Sequence, residues 1–395
     1  MSTIPPDLTT KIPSFRIHSI DILRGLVMVI MALDHTRDFF HISSDPTNLL
    51  TTTPILFFTR WITHFCAPIF VFLSGTSAFL SGRKKTKNEL SVFLLKRGLW
   101  LIIIEVTIFN LFLTFDPTYH FIALQVLWVI GFSMIILAAV IYLPLRVIFF
   151  VGCIIVFGHN FLDVFDYTQP NTTPWWWGFL HQQSFFPYGS NRMLAVLYPL
   201  IPWPGVMMLG YCLGSLYVKE YNAQKRQKFF MATGIAVTLF FILLRFTNLY
   251  GDPQPWSIQR NFITTILSFF NTTKYPPSLL FLSMTLGPAL IFLSFLEKKK
   301  GKWTQIISVY GRVPFFYFLL HFFVLHFILM IIFFINGHSI TEAATGFLFF
   351  RPADFGYPLL IVYLIWMAVV ISLYPVCKKY DRLKSSHKNW WLSYL

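Results

Sequence analysis

Charged residues are scarce in this sequence. Asp, Glu, Lys and Arg make up only 12% of the 395 residues, whereas they make up roughly a quarter of a soluble domain. Acidic residues are the scarcest, with 16 against 31 Lys and Arg, and 56% of the chain is hydrophobic. This composition excludes a soluble globular domain. Several stretches of about 20 apolar residues, each able to cross roughly 30 Å of hydrocarbon, instead predict a polytopic membrane protein.

Cysteine is scarce as well. The four cysteines lie in or beside apolar stretches and lack the spacing of metal ligands: Cys66, Cys153, Cys212 and Cys377. We interpret them as small hydrophobic side chains or free thiols and not as a disulfide framework. The histidines form no closed zinc set beside a carboxylate, so we expect no bound metal.

The formal net charge of +15 comes from short basic clusters between apolar stretches, at 82–89, 219–228, 297–302 and 378–388. Such clusters are typical of cytoplasmic loops in membrane proteins and not of a nucleic-acid-binding face, so no nucleic-acid partner is expected. They favour a cytoplasmic location for both the N-terminus and the C-terminus. They also indicate a multi-pass protein of the cell (inner) membrane.

Hydropathy predicts an all-α fold of about ten transmembrane helices. These lie near 20–40, 54–81, 93–114, 121–142, 146–163, 195–217, 229–249, 277–296, 313–335 and 358–376. We expect one transmembrane domain over 1–395, with a cytoplasmic N-terminal segment at 1–18 and a cytoplasmic tail at 377–395. The first apolar stretch has no small-residue cleavage site and is expected to stay as a helix.

Two long loops are predicted on the outer side, at 164–194 and 250–276. Loops of this length are uncommon and are often lids or binding segments. The tryptophan-rich part of the first, "NTTPWWWGFLHQQ" at 171–183, has aromatic surfaces of the kind that stack on sugar rings. The alternative is an aromatic belt at the membrane interface.

The first helix ends in an unusually polar stretch, "MALDHTRDFFH" at 31–41. It places Asp34, His35, Arg37, Asp38 and His41 within eight positions. An ionisable group inside a membrane helix costs roughly 2.5–3.5 kcal/mol on insertion scales and is by default a functional candidate. The alternative is a purely structural role, in which neighbouring acidic and basic residues neutralise one another at the end of the helix.

Arg24 lies 11 residues before His35, which is three helical turns plus about 20°, so the two share one face. Along the axis they are about 16 Å apart. A cation suits the phosphates of a nucleotide-bearing donor, and an imidazole suits proton transfer near neutral pH. This spacing fits a donor with the long thin shape of coenzyme A. The alternative is that Arg24 only reaches the interface and pairs with Asp21.

Polar pairs on other helices could complete a site. Arg60 and His64 are four residues apart on the second predicted helix, and Tyr317 and His321 are four apart on the ninth, so each pair shares a helix face. We predict that Arg37, Arg60, His64 and His321 contact the substrate. The candidate donors for an oxyanion are Arg60, Asn110 and Tyr317.

Several stretches resemble one known family. They are "RIHSIDILRGLVMVIMALDH", "RWITHFCAPIFVFLSGTSAFL", "KYPPSLLFLSMTLGP", "YGRVPFFYFLLH" and "YDRLKSSHKNWWLSYL". They resemble the heparan-α-glucosaminide N-acetyltransferase catalytic-domain family, and within it a bacterial branch, in the wider superfamily of transmembrane acyltransferases. The resemblance runs nearly end to end.

The resemblance implies a membrane enzyme that passes an acyl group, most simply acetyl, from cytoplasmic acetyl-CoA to a sugar or glycan acceptor on the outer side. It implies that Arg24 holds the phosphate end of the co-substrate and that His35 is the general base. Asp34 or Asp38 would orient the imidazole. In the lysosomal member of this family the key histidine lies further along the chain, so the resemblance makes His41 an alternative to His35 as the base. Direct transfer and an acyl-histidine intermediate both stay open.

The alternative function is a secondary transporter of a small anionic solute, although no inverted repeat is evident in the sequence. The expected partners are the lipid bilayer, acyl-CoA and the glycan acceptor, with a second copy of the chain in a homodimer as a further candidate.

Overall fold

The computed structural model describes residues 17–42, 45–169, 172–218, 221–344, 347–352 and 354–387. The chain is 69% helix and 4% strand, which confirms the prediction of a mainly helical protein. The α-helices are α1 His18–Phe40, α2 Pro54–Thr63, α3 Cys66–Gly82, α4 Lys87–Ile104, α5 Asn110–Thr114, α6 Val126–Val140, α7 Leu145–Gly158, α8 Trp175–Leu180, α9 Trp203–Gly214, α10 Ala223–Thr247, α11 Phe262–Phe270, α12 Leu279–Leu296, α13 Lys302–Arg312, α14 Pro314–Ile335 and α15 Leu359–Ser386. The strands are β1 Phe121–Leu124, β2 Ser184–Pro187 and β3 Met193–Val196.

Six helical segments among the described residues are long and apolar enough to cross a membrane. They are Pro54–Gly82, Leu145–Phe165, Ala223–Thr247, Leu279–Leu296, Pro314–Ile335 and Leu359–Ser386. Membrane character is therefore confirmed. The count of ten spans and the cytoplasmic location of both termini stay predictions.

Helix α1 occupies the centre of the bundle. It packs against α2, α3, α12, α13, α14 and α15, and its buried residues include the charged Asp34 and Arg37. Because the neighbouring helices are largely apolar, they separate these charges from the surrounding lipid. Helix α1, which carries five charged side chains, is thus largely enclosed by its neighbours.

Two of the differences from the predicted helix boundaries come from a small sheet. Residues 121–124, expected to begin a helix, form β1, which pairs in parallel with β3, while β3 pairs antiparallel with β2. The predicted helix at 195–217 consequently starts only at Trp203, with Pro204 in its first turn, a position that proline favours. Short apolar runs do not distinguish a buried strand from a helix, which explains both differences.

Glu105 and Asn110 lie at a π-helical turn, Glu105–Phe109, between α4 and α5. The Glu105 carboxylate accepts the backbone N–H groups of Gln125 at 2.6 Å and Leu127 at 3.1 Å. The Asn110 side chain bonds both the N–H and the carbonyl of Ala123. The side chains of Glu105 and Asn110 therefore fix the start of α6 and the edge of β1. The side-chain amide of Asn110, a candidate oxyanion donor, forms its hydrogen bonds with backbone groups.

Helix α15 continues through Ser386, well past the predicted start of a tail at 377. Cys377 and Tyr380 are buried, and Arg312 Nη2 lies 2.8 Å from Asp381 Oδ2. These contacts anchor the last turns to α13 and α14. The N-terminal segment at 1–16 and residues 388–395 lie outside the described residues.

Helices α1 and α13 cross at two glycines. A Cβ atom on Gly25 would lie 2.0 Å from the carbonyl oxygen of Ile307, and one on Gly311 would lie 1.9 Å from that of Asp21. Real Cβ atoms do not approach backbone oxygens this closely, so the crossing requires glycine at both positions. The same crossing lets Arg24 Nη1 donate to the carbonyl of Gly311 at 3.3 Å.

We expect Gly25→Ala to push α1 away from α13 and to lower the melting temperature by several degrees, because overpacking costs about 1–3 kcal/mol. Thermal unfolding of the full chain in detergent measures this. Gly158→Ala is the matched control, since a Cβ at Gly158 meets no atom within 4 Å. Equal melting temperatures for Gly25→Ala and the wild type would contradict the assigned crossing.

Candidate functional site

A cavity of about 270 Å³ lies beside the N-terminal half of α1; we call it the basic cavity. Four basic side chains from four different helices contribute to its lining: Arg24, Arg97, Arg312 and Lys384. Apolar side chains form most of the remainder, among them Met28, Met31, Phe315 and Phe318. The cavity thus combines cationic groups with an apolar interior.

The basic clusters of the sequence gather at this end of the bundle. Ser19 donates to Glu297 Oε1 at 2.8 Å, and Arg226 Nη2 contacts Glu297 Oε2 at 2.5 Å. These contacts place Arg226 of the second cluster and the start of the cluster at 297–302 beside the start of α1. One shared end is the arrangement that the positive-inside rule requires.

A second cavity of about 470 Å³ lies beside the C-terminal end of α1; we call it the polar cavity. Its lining includes Arg37, Asp45, Asn48, Arg60, His64, Gln183, Asn271, Lys274 and Tyr275. Burial favours the neutral form of Tyr275, but Lys274 and Arg60 outweigh it and lower the pKa of this tyrosine. The cavity therefore has a positive local potential and many hydrogen-bonding groups.

A pair of histidines lies between the two cavities. His35 Nδ1 is 2.7 Å from His321 Nε2, and His321 Nδ1 is 2.8 Å from the carbonyl oxygen of Tyr317. His35 lines neither cavity. Phe318 of the basic cavity lies with its ring centroid 6.3 Å from that of His35, and Arg37 of the polar cavity follows two residues later on α1.

The hydrogen bonds fix which nitrogen of each ring carries the proton. A carbonyl only accepts, so the proton of neutral His321 lies on Nδ1 and its Nε2 accepts. His35 then donates from Nδ1, and its lone pair lies on Nε2. Within the residues that the structure describes, the ring hydrogen bond of His35 goes through Nδ1 and leaves the lone pair of Nε2 unused. This nitrogen is consequently free to accept a proton from a substrate.

Asp34 contacts two arginines. Arg60 Nη1 donates to Asp34 Oδ2, and Arg37 Nη2 lies 3.0 Å from Asp34 Oδ1. Asp38 also pairs with Arg37, at 2.5 Å. The sequence suggested that one of these carboxylates orients His35, but the structure places the His321 ring at that nitrogen and gives both carboxylates to arginines. Successive residues on a helix point about 100° apart, which separates Asp34 from the adjacent imidazole.

The remaining predicted histidines occupy different positions. His64 is buried at the end of α2 and lines the polar cavity, and its Nδ1 atom has no hydrogen-bond partner among the described residues. His41 follows the last turn of α1 and lines neither cavity. Its carbonyl accepts from Arg351 Nη2 at 2.9 Å, and burial lowers its pKa. The structure therefore brings His64, but not His41, to a cavity.

Tyr317 contacts the histidine pair, whereas Arg24 lies in the basic cavity. The Tyr317 ring stacks on His321 with centroids 5.2 Å apart, and its buried hydroxyl has no hydrogen-bond partner in the described part of the chain. Arg24 lines the basic cavity, donates to Ser77 Oγ at 2.7 Å and lies 3.8 Å from Asp21. Because the Asp21 contact is loose, Arg24 keeps donors for a ligand in the cavity.

Several cavity residues were not predicted from the sequence. Of the basic-cavity residues, Lys384 belongs to a cluster that we had interpreted only as a topological signal, and Arg97 and Arg312 lie outside the clusters. Lys274 lies in the stretch "KYPPSLLFLSMTLGP" quoted above. Its position in a loop does not indicate which residues from distant parts of the chain lie near it. Tertiary packing, which joins α4, α13 and α15 at one cavity, was the missing information.

The fold and site together define a mainly helical membrane protein with a histidine pair, His35 and His321, between the basic cavity and the polar cavity. The family model described as heparan-α-glucosaminide N-acetyltransferase, catalytic, matches residues 16–245, more than half of the chain. The chain belongs to this family, and membership implies a membrane acyltransferase. The match includes Arg24, His35 and His64 but ends before His321. No curated protein matches the chain.

We expect Asp34→Asn to destabilise the protein strongly, because it leaves two buried guanidinium groups without their shared carboxylate. Breaking a buried ion pair costs about 3–5 kcal/mol. Thermal unfolding of the full chain should show a large decrease in melting temperature, and Arg60→Gln added to Asp34→Asn should cost less than the sum of the two single changes.

Glu342→Gln is the control for this experiment. Its partner, His338, is 2.9 Å away at an exposed position, where such a pair contributes at most about 1 kcal/mol. Similar melting temperatures for Asp34→Asn and Glu342→Gln would show that the Asp34 cluster does not support the fold.

Proposed function

We propose that the protein transfers an acetyl group from cytoplasmic acetyl-CoA to a sugar or glycan acceptor on the outer side of the cell membrane. One observation carries the proposal: two cavities of different chemistry approach the His35–His321 pair from opposite ends of α1. Membership of an acyltransferase family supports the reaction class.

The basic cavity fits the donor. Guanidinium and ammonium groups suit the phosphates of coenzyme A, and the side chains of Met28, Met31 and Phe318 suit its extended apolar arm. Arg24 and His35 are about 16 Å apart along the helix. A donor whose phosphates contact Arg24 would extend its thioester toward His35.

The polar cavity fits the acceptor. Arg37, Arg60 and Lys274 supply charged donors, and Asn48 and Gln183 supply amide groups. Hydroxyl-rich ligands need many such partners at once. The aromatic segment Trp175–Leu180 lies close in sequence to Gln183 and would extend the acceptor surface.

In the proposed reaction, His35 Nε2 takes the proton from the hydroxyl or amine of the acceptor as its oxygen or nitrogen attacks the thioester carbonyl carbon. The new carbon–oxygen or carbon–nitrogen bond forms, the carbon–sulfur bond breaks, and the coenzyme A thiolate leaves. His35 returns the proton to this sulfur, which balances the transfer.

The neighbouring side chains support this step. His321 accepts from His35 Nδ1 and so keeps Nε2 directed to the reacting atoms as the proton arrives. The hydroxyl of Tyr317 and the guanidinium of Arg60 are the candidate donors to the developing oxyanion. This scheme passes the acyl group directly, without an acyl-histidine.

We expect His35→Gln to reduce acetyl transfer by about 10²–10⁴-fold, the usual contribution of a general base, and to leave acetyl-CoA binding largely intact. Thiol release and acetylated acceptor, measured on purified protein in nanodiscs, report the transfer. His338→Gln is the control, because its ring lies near the surface at the far end of α14.

Two outcomes would overturn this assignment. Loss of transfer in His41→Gln with activity retained in His35→Gln would make His41 the base. Wild-type protein that neither binds nor hydrolyses acetyl-CoA but carries a small anionic solute across vesicles would replace the enzyme with a transporter.

For Arg24→Ala we expect the KM for acetyl-CoA to rise by about 10- to 100-fold, since a charge-assisted contact contributes about 1.5–3 kcal/mol. The kcat should change little. Arg146→Ala is the matched control, because Arg146 is exposed on α7 and does not line the basic cavity. An unchanged KM in Arg24→Ala would remove this residue from the donor site.

A further inference from the structure

A second cluster of ionisable side chains lies away from α1. It is at the end of α7, which continues into the 3₁₀ helix His159–Phe165. Asp163 lies in this 3₁₀ helix, Asp166 follows it directly, and His181 follows α8. One ligand atom from each of the three lies within 4.8 Å of the other two. His181 is fully buried, at 0% exposure.

The hydrogen bond of His181 to Asp166 selects one tautomer of the neutral imidazole. Its Nδ1 lies 3.1 Å from Asp166 Oδ1, and a carboxylate oxygen only accepts, so the proton lies on Nδ1. The lone pair on Nε2 then faces Asp163 Oδ1, at 3.4 Å. Neither of these two atoms has a hydrogen-bond partner in the described part of the chain. Two acceptors that face each other across this distance require a cation or a proton between them.

The distance fits two ligands of one metal ion. Two atoms that each lie about 2.0–2.1 Å from a tetrahedral zinc ion are about 3.3–3.4 Å apart. The supporting contacts fit as well, since metal-bound imidazoles usually donate from their other nitrogen to a carboxylate, as His181 does to Asp166. The second oxygen of Asp163 accepts from Asn160 Nδ2 at 2.8 Å.

We propose that Asp163 and His181 bind a divalent transition-metal ion, with Asp166 as the outer hydrogen-bond partner of the imidazole and with Zn²⁺ as the best fit. An imidazole nitrogen beside carboxylate oxygens suits Zn²⁺, whereas Ca²⁺ and Mg²⁺ prefer all-oxygen sites. Two carboxylates balance the two charges of the ion. The site is separate from the proposed reaction and would stand if that reaction were disproved.

The position of the cluster gives the ion a structural role. Gln183, two residues after His181, lines the polar cavity, and Gln182 Oε1 accepts the backbone N–H of Tyr167 at 2.9 Å. An ion held by residues on both sides of α8 would therefore fix the segment that forms this wall of the cavity.

The test uses the full chain in detergent, purified with a tag that contains no histidine and stripped with a chelator. After addition of Zn²⁺ and gel filtration, we expect about one zinc per chain by elemental analysis and a higher melting temperature. Asp163→Asn and His181→Gln should each reduce bound zinc at least about tenfold and abolish the zinc-dependent rise in melting temperature.

His120→Gln is the matched control. His120 lies 3.1 Å from Asp116, the one carboxylate it pairs with among the described residues, and its ring is half exposed, so this variant should bind zinc as the wild type does. Parallel additions of Mn²⁺ and Ca²⁺ should stabilise the protein less than Zn²⁺ at equal concentration.

Absence of bound zinc in the wild type would overturn the proposal and would identify His181 as an imidazolium between two aspartates. Stabilisation by Ca²⁺ in preference to Zn²⁺ would also overturn it, because the imidazole would then not be a ligand. Zinc binding that persists in both cluster variants would place the ion elsewhere.

Discussion

The structure depends on one constraint: the ionisable groups of α1 must find their partners inside the protein. Asp34 satisfies two arginines at once, Arg37 on its own helix and Arg60 on α2. A buried charge left without such a partner costs several kcal/mol, and lipid offers none. The apolar helices around α1 therefore shield a polar axis as well as forming a hydrophobic core.

The same constraint shapes the two cavities. Helix α13 reaches α1 closely only because Gly25 and Gly311 face each other, and this places Arg312 at the basic cavity with Arg24. At the other end, the pairing of Arg60 with Asp34 holds α2 against α1, which places His64 at the polar cavity. Contacts that neutralise α1 thus also determine which side chains face each cavity.

The sequence predicted the helical, membrane-embedded fold and the shared face of Arg24 and His35, because helical periodicity is a local property. It did not predict the partner of His35. His321 lies 286 positions away, and no local pattern joins two helices so distant in the chain. The carboxylates adjacent to His35 suggested a nearer partner, but helix geometry directs Asp34 toward α2.

Short and amphipathic elements were missed for a related reason. β1 and β3 pair across about 70 residues of sequence, so each alone looks like the start of an apolar helix. α13 is only 11 residues long and includes Lys302, Gln305 and Arg312, so hydropathy does not identify it as a span. These three elements are defined by the residues that pack against them and not by their own hydropathy.

The identity of the partner of His35 has a chemical consequence. In a hydrolase triad a carboxylate stabilises the imidazolium that forms during catalysis. A neutral imidazole stabilises that charge less than a carboxylate does. In a buried site, a permanently charged carboxylate would favour an ion pair with a histidine that is already protonated before the reaction begins. Acyl transfer from a thioester needs a base that takes a proton and then returns it to sulfur. A His35–His321 pair, which starts and ends neutral, suits that sequence better than a carboxylate–histidine pair, while Asp34 keeps its charge for the arginines.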